Sequence, residues 1–220
     1  MPGFFDDIRL GRVSAPNSTE YGVGPMGRVF VYDITPAALS ATNICTSQSV
    51  STANATLNGA AVSGGVAVLD VPRCLQMVAA GGNTSTVTVT GTDAYGQRMS
   101  EARALNGSTP VNLTKAFKTV TQVFVNGSVT TFTLGTRDVF GLPYRVTDAG
   151  YVVHIGWDGV LARNAGTFTA ADTTSPATTT TNDVRGTYAI TGNAANGTRR
   201  LVVTIAIPAI GSGPDATQTG

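Results

Sequence analysis

The 220-residue chain carries 14 lysines and arginines against 13 aspartates and glutamates, a formal charge of +1. Only 12% of its residues are charged, about half the usual share of roughly 25%, so Thr, Ser, Asn and Gln must supply most of the polar surface. The bases are scattered, with Arg199-Arg200 the one adjacent pair singled out. Nucleic-acid recognition needs a basic patch to displace counterions, and none is expected here.

In chain order, residues 1–28 are Gly- and Pro-rich, with Phe4, Phe5 and Ile8 as possible apolar anchors. They read as an extended N-terminal arm. This start carries Asp6 and Asp7 and no apolar core of a signal peptide. The spacing Gly22-x-Gly24-x-x-Gly27 matches a bare dinucleotide pattern, but Pro25 interrupts it and no strand–helix context surrounds it.

A β domain is expected over 29–210, as one unit or two packed subdomains with a boundary near 135–150. Strands are expected over 29–34 and 65–71. Thr86-Val87-Thr88-Val89-Thr90 then alternates strictly, valines to one face and threonines to the other. Val111–Thr119 leaves two readings open, a single helical turn around 114–118 or an extended segment with a bulge. The alternating runs 120–125 and 130–134 flank Asn126-Gly127, which predicts a type I′ hairpin turn between two strands. Further strands are expected over 151–157, 166–170, 187–191 and 201–207. Asn58-Gly59, Asn106-Gly107, Asp158-Gly159 and Asn196-Gly197 are candidate tight turns. Residues 171–183, ADTTSPATTTTND, form a polar loop without periodicity, and 211–220 a Gly/Pro/Thr tail. The fold class is therefore all-β, an antiparallel sandwich or barrel of one or two jelly-roll or immunoglobulin-like units with extended ends. No apolar run is long enough for a membrane helix: the best, Leu201–Ile210, is short and contains Pro208.

Catalytic and metal chemistry is not expected, and neither is a cofactor. His154, the single histidine, sits on a predicted strand with Asp148 and Asp158 nearby in sequence, and reads as a strand histidine rather than a triad member. Cys45 and Cys74 read as buried thiols of a protein made in a reducing cytoplasm, although neighbouring strands would allow them to pair. The two glutamates are Glu20 and Glu101, and Glu101 is expected to pair with Arg98 or Arg103. Trp157 is an expected core or interface anchor. An exposed Trp157 would instead suit stacking on a carbohydrate.

The stretch from Thr86 to Glu101, TVTVTGTDAYGQRMSE, followed by Lys115-Ala116-Phe117-Lys118-Thr119-Val120, resembles a pattern common among virion structural proteins of tailed bacteriophages, particularly short-tailed ones. Leu69-Asp70-Val71-Pro72-Arg73 and Asp183-Val184-Arg185-Gly186-Thr187-Tyr188 are similar in style, and together these segments span 65–205. Such proteins include capsid cement (decoration) proteins, head fibres and tail adaptors. The resemblance to cement proteins implies a homo-oligomer, trimeric or otherwise. It would bind the major capsid protein on the head exterior, without contact to nucleic acid or membrane. On that reading the expected contacts are Phe4, Phe5, Ile8, Arg9, Arg12 and Tyr21 of the arm, the loop 171–183, and Tyr144 and Trp157. The alternatives are a tail or head-fibre component for host attachment and a carbohydrate-binding β module.

Overall fold

The computed structural model describes residues 28–161 and 166–207. It is all-β, two packed sheets whose single helical feature among the described residues is one 3-10 turn, Ala149–Tyr151.

The first sheet has four strands: β1 (Arg28–Ile34), β9 (Val152–Trp157), β10 (Val160–Leu161) and β13 (Leu201–Ile207), in the order β1-β13-β9-β10. β1 lies antiparallel to β13 from Arg28 opposite Ile207 to Ile34 opposite Leu201. Its other edge pairs with no described strand. Asp158-Gly159 joins β9 to β10, and both residues have positive φ, +53° and +75°. That is the requirement of the tight turn expected there.

The second sheet has nine strands. Its spine is β4 (Val66–Val78) and β8 (Phe117–Gly141), joined by β2 (Cys45–Asn54), β3 (Val62–Ser63), β5 (Thr86–Thr92), β6 (Arg98–Ala104), β7 (Val111–Asn112), β11 (Gly166–Thr169) and β12 (Thr187–Ile190). The 25-residue β8 contacts β5 along its first half, β2 through its middle and β12 at its end. β4 meets it twice: Ala67 lies opposite Val120, and Met77 lies opposite Leu134. The sheet therefore curls around its own apolar face.

One finding corrects the expected elements, and a second decides between two open readings. The predicted hairpin at Asn126-Gly127 does not form, because β8 runs straight through it. Gly127 has φ +140° and breaks the local pleat, and an ideal Cβ there would stand 2.3 Å from Ser85 Oγ. The dipeptide kinks a strand and does not reverse it. Val111–Thr119 is extended, with β7 at its start and β8 from Phe117 onward.

Two cores result. One fills the curl of the large sheet and includes Ile44, Leu75, Met77, Val89, Met99, Phe117, Val123, Phe132 and Leu134. The other lies between the two sheets and includes Val71, Phe140, Val146, Ile155, Trp157, Tyr188, Leu201, Val203 and Ile205. β8 feeds the first as far as Leu134 and the second from Phe140.

Candidate functional site: a buried ionic seam and an outward valine face

A seam of buried charge runs along the body and fastens the Thr-rich loop to it. β6 carries Glu101, fully buried, because its neighbours Met99 and Ser100 are also buried and the strand lies under the chain leading into β8. Glu101 Oε1 accepts from Arg103 Nε at 2.8 Å and Thr114 Oγ1 at 3.0 Å, and Oε2 accepts from the Lys115 amide at 2.8 Å. The expected pairing with Arg103 is thus present. Lys115 is also fully buried, and its Nζ donates to Ser100 O at 2.9 Å and Thr178 O at 2.7 Å. Burial pushes the Lys115 ammonium below its usual range, while Glu101 and Asp183 pull the other way.

The remaining acids of the seam organise backbone. Asp183 Oδ2 accepts from the Ala116 amide at 2.9 Å, and its Oδ1 from the Arg185 amide at 2.9 Å. Asp93 Oδ1 accepts from the amides of Tyr95 and Gln97 in the turn before β6, while Arg185 Nη2 meets Asp93 Oδ2 at 2.6 Å. The Arg185 guanidinium also lies over the Tyr95 ring, 4.8 Å from its centroid. Arg73 of β4, 1% exposed, donates to Asp138 Oδ1 at 2.6 Å, to Arg137 O and to Ala37 O. These buried charges are ion-paired or hydrogen-bonded, Lys115 to two carbonyls, which is how an interior accommodates them. The arrangement braces the chain. Each carboxylate is already held by amides or a guanidinium in place of a substrate.

The loop 171–183 lies on this seam. Thr178 O takes the Lys115 ammonium, Thr179 O accepts from the Ala102 amide at 2.8 Å, and Asp172 accepts from the amides of Thr174 and Asn182. Those amides hold the Asp172 carboxyl below the usual carboxylate range. Most of the loop's side chains from 173 to 180 still face outward.

The other candidate surface is the outer face of the four-stranded sheet. Val29 and Val31 are 46% and 65% exposed, and they lie opposite Ala206 and Thr204. Thr204 in turn lies opposite His154, and exposed Val153 sits beside it at a bulge. Val29 and Val31 thus stand on β1, whose other edge pairs with no described strand, and Val153 lies two strands in, with the Asp33–Arg200 ion pair at one end of β1. Arg200 holds the Asp33 carboxyl below its usual range.

The sequence-predicted residues scatter. Phe4, Phe5, Ile8, Arg9, Arg12 and Tyr21 lie outside the described residues. Tyr144 is half-buried and stacks on Phe30, ring centroids 3.9 Å apart. Trp157 is a correction to the expected contacts. It is 3% exposed in the second core and its Nε1 donates to Asn193 O at 2.9 Å, so it presents no face to a partner or a sugar. The apolar packing of β9 between β13 and the large sheet outweighs any surface role. His154 is half-buried on the outward side of β9. Asp148 caps the 3-10 turn through the Gly150 amide, and Asp158 pairs with Arg199 at 3.0 Å. Cys45 and Cys74 are free and buried. Desolvation pushes the Cys45 thiol up to about 12 and that of Cys74 well up, so neither is a ready nucleophile. Among the described residues no three His, Cys, Asp or Glu side chains gather as a metal site, and no helix is long and apolar enough to cross a membrane.

Sequence reasoning missed the seam. A lone Glu, Lys or Asp in a Thr-rich chain reads as surface, and pairing across 13 to 67 residues leaves no local signal. It missed the valine face for the opposite reason: Val29 and Val31 alternate with Phe30 and Tyr32, so apolar residues occupy both sides of β1. No family model, curated protein or solved structure matches this chain.

Proposed function

We propose that this protein is a structural component of a tailed-phage virion that binds and stabilises the capsid lattice as a cement protein. The observation that carries this reading is the outward face formed by Val29, Val31 and Val153 on the four-stranded sheet, whose β1 edge pairs with no described strand. Exposed apolar side chains at a free strand edge are what a neighbouring chain can cover, by apolar packing and by strand addition. The seam adds a second support. It holds loop and sheets in one shape, and a cement subunit must keep its shape while many weak contacts are multiplied over a lattice. The sequence resemblance over 65–205 supplies the choice of lattice.

The test is co-sedimentation of the purified full-length chain with heads of the same phage that lack it. Saturable binding is expected, and Val31→Asp should weaken it at least tenfold while the far-ultraviolet circular dichroism stays unchanged. A chain that fails to sediment with the heads, or that appears on tails or vertices in virion images, overturns the proposal.

A further inference from the structure

The Thr-rich loop closes on itself at its neck. The Asp172 amide donates to Asp183 O at 2.8 Å, and the Asp172 carboxylate accepts from the amides of Thr174 and Asn182, both at 2.9 Å. The tip has a turn of its own, in which the Thr181 hydroxyl donates to Thr178 O at 2.9 Å. A surface loop whose ends are held together is a unit that can move without pulling on the strands it joins.

The tip covers one edge of β6. Backbone groups along a strand point alternately to its two sides. β5 takes one side of β6, from Thr86 opposite Ala104 to Thr92 opposite Arg98. On the other side the Ala102 amide donates to Thr179 O at 2.8 Å, and Ser100 O accepts from Lys115 Nζ at 2.9 Å. The same Nζ donates to Thr178 O at 2.7 Å. One ammonium therefore grips a carbonyl of the strand and a carbonyl of the loop.

That grip is not backed by a core. None of the side chains from 172 to 182 is buried, so lifting the tip exposes little apolar surface of the loop. A segment of this kind opens at far lower cost than the whole fold. Beneath it the opposite holds, since Lys115 is fully buried and Ser100 is 7% exposed.

We propose that residues 173–181 form a lid that opens by itself while both sheets stay folded, with Lys115 as its latch and the outer edge of β6 as what it guards. Closed, the lid satisfies that edge internally. Open, it bares the Ala102 amide, the Ser100 carbonyl and the Lys115 ammonium, groups with which an extended segment of another chain pairs.

The chain has two lysines, Lys115 and Lys118, so amine labelling reports on the lid directly. The full-length protein is treated with the N-hydroxysuccinimide ester of acetic acid over a range of urea below its unfolding transition, and acetylation of each lysine is read by peptide mass spectrometry. Opening of the lid alone exposes little surface, so the Lys115 rate should change by less than about twofold per molar urea. Access through global unfolding would raise it about fivefold or more per molar. The latch is read by amide hydrogen exchange. In Lys115→Met the Ala102 amide should exchange about tenfold faster, while the Arg103 amide, which by alternation faces β5, keeps its rate. Lys115 labelling that tracks unfolding, or that is absent short of unfolding, overturns the lid. An unchanged Ala102 rate in Lys115→Met overturns the latch, and so does a Lys115→Met chain that does not fold, since Lys115 would then support the body.

Discussion

Glu101 has no water to fall back on. Its carboxylate is satisfied by the Arg103 guanidinium, the Thr114 hydroxyl and the amides of Thr114 and Lys115, which come from β6 and from the chain entering β8. A glutamine has the same shape but exchanges one acceptor oxygen for a donor nitrogen. Whichever way the carboxamide turns, an NH2 faces an N–H, and the Arg103 charge loses its counterion. Glu101→Gln is expected to lower the unfolding free energy by about 3 kcal/mol, as for breaking a buried charge pair. Arg103→Ala should cost less, about 1 kcal/mol, since that side chain is 30% exposed and water replaces part of what it loses. Urea unfolding followed by Trp157 fluorescence measures both, and equal costs would mean that Glu101 is not the centre of its network.

Elements show where local sequence stops determining structure. β1, β5, β9, β11, β12 and β13 were legible because valines, isoleucines or threonines alternate between clear turn signals, and a period of two has one meaning in a half-buried sheet. β2 was not, because CTSQSVSTAN buries Cys45 and Val50 and little else. It is a strand because β8 offers it a partner from Leu134 to Phe124. β6 hides for a related reason: two of its three buried residues are Ser100 and Glu101, on opposite faces of the strand, and both read as surface from the sequence. Asn126-Gly127 failed in the other direction. The dipeptide permits a tight turn, but Thr86 lies opposite Asn126 and Ser51 lies opposite Ser128, so pairing on both flanks carries β8 onward. The glycine is still required, by a φ of +140° that an L side chain rarely adopts. Gly127→Ala is expected to destabilise by about 1–3 kcal/mol in urea unfolding. A neutral result would mean that the kink relaxes when Cβ is added.

At the scale of the molecule, the two cores share β8 and are tied again by charge. Arg73 reaches from β4 to Asp138 and to the carbonyls of Arg137 and Ala37, and its guanidinium lies 5.2 Å from the centre of the Phe140 ring, at the entrance to the second core. Asp138 meanwhile accepts from the Ala195 amide at 2.9 Å, and Ala195 belongs to that same core. Opening either core therefore leaves Arg73 or Asp138 with a buried, unmatched charge, a cost that couples them. One cooperative transition is expected, with two local reporters: Trp157 fluorescence for the second core, and pulse labelling of Cys45 for the first. Their urea midpoints should coincide in the native chain. Arg73→Met removes the tie while keeping an apolar stem against Phe140. It should pull the midpoints apart, with the Trp157 transition moving to lower urea, because the four-stranded sheet then holds to the large one by apolar contact and the remaining hydrogen bonds alone. Separate midpoints in the native chain would mean that the cores are independent units joined by a continuous strand, and that the seam braces each without coupling them.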